Sequence, residues 1–222
     1  MNEELHLVSQ KLLAPFIDER IMQRPRLIQR INKSEANIVN IIAPAGFGKT
    51  VLLSQLAEAF NQPAVWYQLD EYDNDPATFW RYLITGFQKT HHDFGRKALF
   101  FISNNQARLD RGRTVLSMLI NELNRCQQGV TLIFDDCHVI SETDVKLFIE
   151  EFLHRLPLRI KVIMAGRTDV FQLCRLQVQG KILKYGIKDL YFTCEDIAGY
   201  YAKNGIELTR TELEIIAEKT EG

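Results

Sequence analysis

Short, nearly unbroken apolar runs alternate along the chain with longer segments in which apolar residues recur every three or four positions. The runs Ile38-Val39-Asn40-Ile41-Ile42, Ala64–Leu69, Val130–Phe134 and Ile160–Ala165 are rich in β-branched and aromatic side chains and too short for helices. They read as strands buried on both faces, because a strand with one wet face alternates polar and apolar positions. A fifth short strand is predicted near Ile182–Tyr185. Helical patterns lie between them. Val51–Phe60 brings Leu52, Leu53, Leu56, Ala57 and Phe60 near helical spacing and stops at Pro63. After the polar turn Asp70–Asn74, Asp75-Pro76 opens a second helix, Asp as cap and Pro in the first turn, with Phe79, Trp80, Leu83 and Phe87 on one stripe. Thr114–Cys126 and Glu142–Leu153 continue the series, the latter with Ser141 as its cap. Residues 91–112 show no clear period.

Strands that alternate with helices imply βαβ units. The expected fold is therefore α/β: a mainly parallel five-stranded sheet flanked by helices. Past Leu190 the strands stop, and Thr193–Tyr201 and Thr209–Lys219 read as two helices. The organisation expected is a lead-in over 1–36, a nucleotide-binding domain over 37–190 and the opening of a helical domain over 191–222. Thr220-Glu221-Gly222 closes no element, so the chain is expected to be a piece of a longer protein.

Composition changes this picture little: 46% of residues are apolar and 25% charged, ordinary values for a folded domain. Charge excludes more. A domain that grips nucleic acid through phosphates carries a basic excess, whereas here the net charge is −1. Nucleic-acid binding as the main task of these residues is not expected, and the basic stretch Arg20–Lys33 reads as a solvated helix face with Ile21, Leu27 and Ile31 inward. Cys126, Cys137, Cys174 and Cys194 form no C-x-x-C pair and have no zinc-type spacing to histidine, which suits a reduced, cytoplasmic protein. Met1-Asn2-Glu3-Glu4 does not open a signal peptide, and no apolar run is long enough to span a bilayer.

The strongest chemical signal is Ala43-Pro44-Ala45-Gly46-Phe47-Gly48-Lys49-Thr50, set between the first strand and the first helix of the sheet. This is the P-loop pattern G-x-x-x-x-G-K-[ST] with Ala43 in place of the first glycine. Backbone N–H groups of such a loop, backed by a helix N-terminus, cradle phosphate oxygens. Ala45, Gly46, Phe47, Gly48, Lys49, Thr50 and Val51 are the candidate nucleotide contacts. Gly46 and Gly48 supply backbone freedom, Lys49 is placed to reach the β- and γ-phosphates, and Thr50 to hold magnesium. Ala43 is tolerable there if its φ is negative, since that position has to fit the turn and need not touch phosphate.

An apolar strand ending in Asp135-Asp136 supplies the second signal. Asp135 is the expected magnesium ligand opposite Thr50, and Asp136 the group that orients or polarises the attacking water, although paired acids also occur as plain turn residues. Asp is one methylene shorter than Glu, so hydrolysis is expected to be slow, below about ten turnovers per second. Arg167 follows the fourth strand, at the carboxyl edge that faces ligands in parallel sheets. Two roles are open for it, γ-phosphate sensing and an ordinary surface cation. His91-His92-Asp93 reads as a surface loop, and Trp66 and Trp80 as core; for His138 a structural role is favoured over a hydrogen bond near the site.

Taken together these stretches resemble the nucleotide-binding domain of the MalT-like, ATP-dependent LuxR-type transcriptional activators, members of the STAND class of signalling ATPases. The resemblance rests on Lys11-Leu12-Leu13-Ala14-Pro15 with Arg24-Pro25-Arg26-Leu27, on the phosphate loop with its non-glycine start, on Leu69–Pro76 with Phe79-Trp80-Arg81-Tyr82, and on Asp135-Asp136-Cys137-His138. Gly166-Arg167-Thr168, Asp189–Thr193 and the terminal Glu218–Gly222 also match in kind, while Cys137 departs from the usual Tyr. The resemblance implies an ATP/ADP- and magnesium-dependent switch: an ADP-bound resting form, and an ATP- and inducer-dependent form that self-associates and binds DNA through a C-terminal domain not contained in this chain. It also implies that the lead-in around Arg24–Arg26, with Arg26 as a contact, lies near the adenine. Two other readings stay open. One is a small P-loop kinase whose arginine lid would be Arg108, Arg111 and Arg113. The other is a scaffold in which nucleotide is only structural.

Overall fold

The computed structural model describes residues 9–18, 21–104 and 111–220. Five strands form one sheet, β1 (Ile38–Ile42), β2 (Ala64–Gln68), β3 (Val130–Asp135), β4 (Ile160–Gly166) and β5 (Ile182–Tyr185). Ten α-helices accompany them among the described residues. In chain order they are α1 (Pro25–Asn32), α2 (Lys49–Ala59), α3 (Pro76–Gln88), α4 (Arg96–Asn104), α5 (Arg111–Arg125), α6 (Thr143–Arg155), α7 (Cys174–Val178), α8 (Ile187–Leu190), α9 (Cys194–Lys203) and α10 (Arg210–Thr220).

All strand pairings are parallel and the order is β2-β3-β4-β1-β5. Parallel neighbours need crossover segments, and these cover both faces of the sheet. Successive residues accordingly enter two separate cores. Leu132, Phe134, Val162 and Met164 pack with α3–α6 residues such as Phe79, Leu116 and Ile149. Ile133, Ile163, Ala165 and Ile41 pack with Leu53 and Leu56 of α2 and Ile31 of α1. This explains why the strands read as unbroken apolar runs. Trp66 and Trp80 are core residues, one in each cluster.

Three local readings are corrected. The unread stretch 91–112 contains α4 and the start of α5, with Ala98 and Ile102 of α4 buried. Ser141 does not cap α6: the capping position is Glu142, without a side-chain bond to the helix. The backbone N–H groups of Ser141 and Glu142 instead donate to Asn74 Oδ1, at 2.8 Å each. Thr193 is a cap and not a helical residue, and with Asp196 it forms the reciprocal bonds of a capping box at α9.

Candidate functional site

The strand order decides which side chains can meet. β4 lies between β1, which runs into the phosphate loop, and β3, which ends in Asp135. The carboxyl ends of all three open on one edge of the sheet, where parallel sheets hold ligands. Ala43, just past the end of β1, is still tied to the sheet: it is buried, and its N–H donates to Gly166 O at 3.2 Å. Among the described residues only Asn61 and Asp136 have positive φ without being glycine, so Ala43 meets the condition set for it by the turn.

The loop then turns through Gly46 (φ 90°) and Gly48 (φ 69°). A Cβ added at either would meet no atom within 4 Å, so the demand for glycine is conformational and the space above the loop is open. α2 begins at Lys49, directly behind that space. Lys49 is buried and its Nζ donates to Pro44 O at 2.7 Å, curled over its own loop. Burial lowers the Lys49 pKa, the carboxylates of Asp136 and Asp135 oppose that shift, and Arg167 reinforces it. These four groups therefore share one electrostatic site.

Thr50 Oγ1 donates to Asp135 Oδ2 at 2.7 Å. Asp135 is buried at the end of β3, and its Oδ1 accepts the Asp136 N–H at 2.9 Å. Burial raises the Asp135 pKa, the bond from Thr50 opposes the rise, and the neighbouring Asp136 adds to it. Such a buried carboxylate beside a hydroxyl is a pair of hard oxygen donors suited to a small divalent cation, which would relieve the cost of burying the charge. The residues present thus fit a small divalent cation such as magnesium.

Asp136 has a left-handed backbone (φ 58°, ψ 35°), a conformation uncommon without glycine and recurrent at functional positions. Its half-buried carboxylate lies 3.8 Å from His138 Nδ1. That nitrogen is buried without a hydrogen-bond partner. Burial lowers the His138 pKa; Asp136 raises it, and Arg167 and Lys49 lower it further. Arg167, exposed just beyond β4, is close enough to both Lys49 and His138 to disfavour their protonated forms. Of the two roles open for His138, structural and near the site, its place beside Asp136 agrees with the second.

Ala45, Gly46, Phe47, Gly48 and Val51 line a cavity of about 470 Å³ on the other side of the loop. Its remaining wall comes from the lead-in (Ile21, Met22, Arg24), from Leu52 and from Leu190 and Phe192. The Arg24 guanidinium lies 3.6 Å from the Phe192 ring centroid, and Phe47 and Tyr191 have centroids 6.2 Å apart. Arg26 does not line this cavity. Its side chain is 71% exposed and pairs with Glu195 of α9, because the first turn of α1 points it across to that helix. The lead-in cation in the cavity wall is Arg24.

Several supports carried no legible signal. Asp169, two residues after Arg167, accepts from Asn40 of β1 (3.3 Å) and Lys184 of β5 (2.7 Å), tying the Arg167 loop to the sheet. Asn74 bridges the 3-10 turn Glu71–Asn74 to the segment after Asp136, donating to Glu71 O and Val139 O at 3.1 Å each. Asp73, fully buried, accepts from Lys11 Nζ (2.6 Å), Tyr67 OH (2.7 Å) and the Asp70 N–H (2.7 Å). The 69–82 stretch is therefore a clamp that joins the lead-in, β2 and the Asp136 loop.

Other candidates fall elsewhere. Of the lid considered for a kinase, Arg108 lies outside the described residues, as do Arg20, Met1–Glu4 and Glu221-Gly222. Arg113 lines a groove with α6 residues such as Asp144 and His154, not the phosphate loop. His91–Asp93 lie in the turn between α3 and α4, and no group of three or more His, Cys, Asp or Glu fit to hold a metal occurs among the described residues. Among those residues no helix is long and apolar enough to cross a membrane.

Comparison with known proteins agrees in kind. The AAA domain family matches residues 31–173. The HTH-type transcriptional regulator MalT of Serratia proteamaculans is 30% identical over 199 residues, 88% of this chain and 22% of that protein. MalT of Yersinia enterocolitica is 26% identical over 220 residues, 97% of this chain and 24% of that protein. The chain thus spans about a quarter or less of the length of these relatives. Among solved structures, Drosophila ORC bound to AT-rich DNA and Cdc6 overlaps 88% of this chain and 72% of its own at 10% identity and a TM-score of 0.46.

Proposed function

The chain belongs to the AAA domain family, and on that premise we propose that it is the nucleotide-binding switch of a MalT-like transcriptional regulator, binding ATP and ADP with magnesium and hydrolysing ATP slowly. The observation that carries this reading is the contact of Thr50 Oγ1 with Asp135 Oδ2 at 2.7 Å, beneath a loop whose two glycines leave open space for phosphate oxygens. The phosphates would rest on the backbone of residues 45–50 and the N-terminus of α2, with Lys49 swinging from Pro44 O onto them. Thr50 and Asp135 would hold the magnesium, whose chemistry is to neutralise charge on the phosphate oxygens. Asp136 would orient the attacking water and Arg167 would contact the γ-phosphate, a reading supported by their shared field around Lys49.

The base and ribose would occupy the cavity beside Phe47 and Phe192. Arg24 is the sole charged side chain among the described residues lining it, and no carboxylate is there to pair with guanine's N–H groups. That favours adenine. Slow turnover is expected from the short reach of Asp136, one methylene less than Glu.

The organisation proposed is a lead-in over 1–36, the nucleotide domain over 37–190 and the opening of a helical domain over 191–222. Self-association in the ATP-bound form, response to an inducer and DNA binding through a separate domain belong to the longer, cytoplasmic protein of which this chain would be a part. The direct experiment is to denature freshly purified protein and identify the released nucleotide by ion-exchange chromatography. ADP near one equivalent is expected. Folded protein that carries none, and that fails to bind added ATP with magnesium, would refute the proposal.

A further inference from the structure

Gln55 sits in the middle of α2, the helix whose first turn carries Lys49 and Thr50, and is only 4% exposed. A buried side-chain amide needs hydrogen-bond partners. It finds both outside its own helix. Nε2 donates to Met22 O at 3.1 Å, and Oε1 accepts the Arg24 N–H at 3.1 Å. The two bonds straddle Gln23 and fix the lead-in at successive points. This stretch lies outside the sheet and ahead of α1, and Arg24, at the N-cap of that helix, gives it no side-chain cap bond. Met22 and Arg24 are nonetheless part of the cavity wall.

The distances along the helix matter. Gln55 is five residues beyond Thr50, roughly 8 Å at the rise of an α-helix. α2 therefore works as a ruler. One end holds the phosphate site, and the Gln55 amide, a fixed step away, holds the wall against which the nucleoside would rest. We propose that Gln55 is a positioning residue for the nucleoside half of the nucleotide, setting the spacing between the phosphate loop and the Met22–Arg24 wall. This rests on the reading of the cavity as a nucleotide site.

The test compares two ligands, ATP and inorganic tripolyphosphate, each with magnesium, on wild type, Gln55→Met and Gln55→Glu. Gln55→Met keeps the size and helical character of the side chain but leaves Met22 O and the Arg24 N–H without their partner. Its affinity for ATP should fall about tenfold as these two backbone groups lose their anchor, with tripolyphosphate affinity changed less than about twofold. Gln55→Glu keeps an acceptor for Arg24 and turns a second one toward Met22 O, so it should show the same split. Equal loss for both ligands, or no loss for either, would overturn the proposal. Hydrogen exchange on the wild type gives a readout that does not depend on a folded variant. ATP should slow exchange at residues 21–24 beyond what tripolyphosphate does, and equal protection by the two would also overturn it. Wild type that binds tripolyphosphate but not ATP would instead bring down the nucleotide reading, and this inference with it.

Discussion

The two ends of the candidate site are built differently. The phosphate end draws on consecutive residues, 45–50, and on the tips of adjacent strands whose order brings Asp135 and Arg167 alongside. Its shape is set by the positive φ that Gly46 and Gly48 adopt and by sheet register. The base end is assembled from the lead-in and from Leu190 and Phe192, and the ion pair beside it, Arg26 with Glu195, joins residues 169 positions apart. Its wall is held by a few side-chain bonds and by ring contacts such as Arg24 over Phe192. The phosphate end is thus local in sequence and set by the sheet, whereas the other end is a long-range assembly of lead-in, α2 and the segment after β5.

Substitutions can separate the two ends. The largest effect is expected at Asp136. Asp136→Asn should lower ATP turnover by about 10²–10⁴, the usual range for losing a positioned proton acceptor, while ATP affinity stays within about threefold. A steady-state hydrolysis assay with a parallel binding titration would decide it, and unchanged turnover would remove Asp136 from the chemistry. Next comes Lys49→Met, which deletes a charge-assisted contact and should weaken ATP and tripolyphosphate alike by about 10–100-fold, as read by calorimetry. If only ATP binding fell, Lys49 would have to be assigned to the base end. The smallest effect is expected for Phe192→Ala, which removes the ring under Arg24. Affinity for ATP should drop by a few-fold, in keeping with about 1 kcal/mol for a half-buried cation–π contact, with tripolyphosphate unaffected. Loss of both would show that the ring supports the loop and not the nucleoside.

The same division governs what was readable in the chain. The strands were evident because both faces of a parallel sheet are covered, and the phosphate loop because its glycines, Lys49 and Thr50 must stand at fixed spacing around a ligand. α4 escaped because only Ala98 and Ile102 of its nine residues are buried, too few to impose a period. Gln55 looked like any polar residue in a helix, since its partners are backbone atoms more than thirty positions away. Asn74 was hidden for a related reason: a polar residue in a polar turn does not announce that it will bond to Val139 O and to the N–H groups of Ser141 and Glu142. Arg24 and Arg26 stand on either side of Pro25, and only the direction of α1 tells which of them lines the cavity.

The left-handed backbone of Asp136 has a consequence for evolution under heat. A residue with a Cβ held at φ 58° lowers the stability of the fold by an amount on the order of 1 kcal/mol relative to glycine. A screen that scores melting temperature alone should therefore enrich Asp136→Gly and discard the carboxylate with it. Under the role proposed for Asp136, variants of this chain selected for endurance and those selected for turnover should diverge at this position.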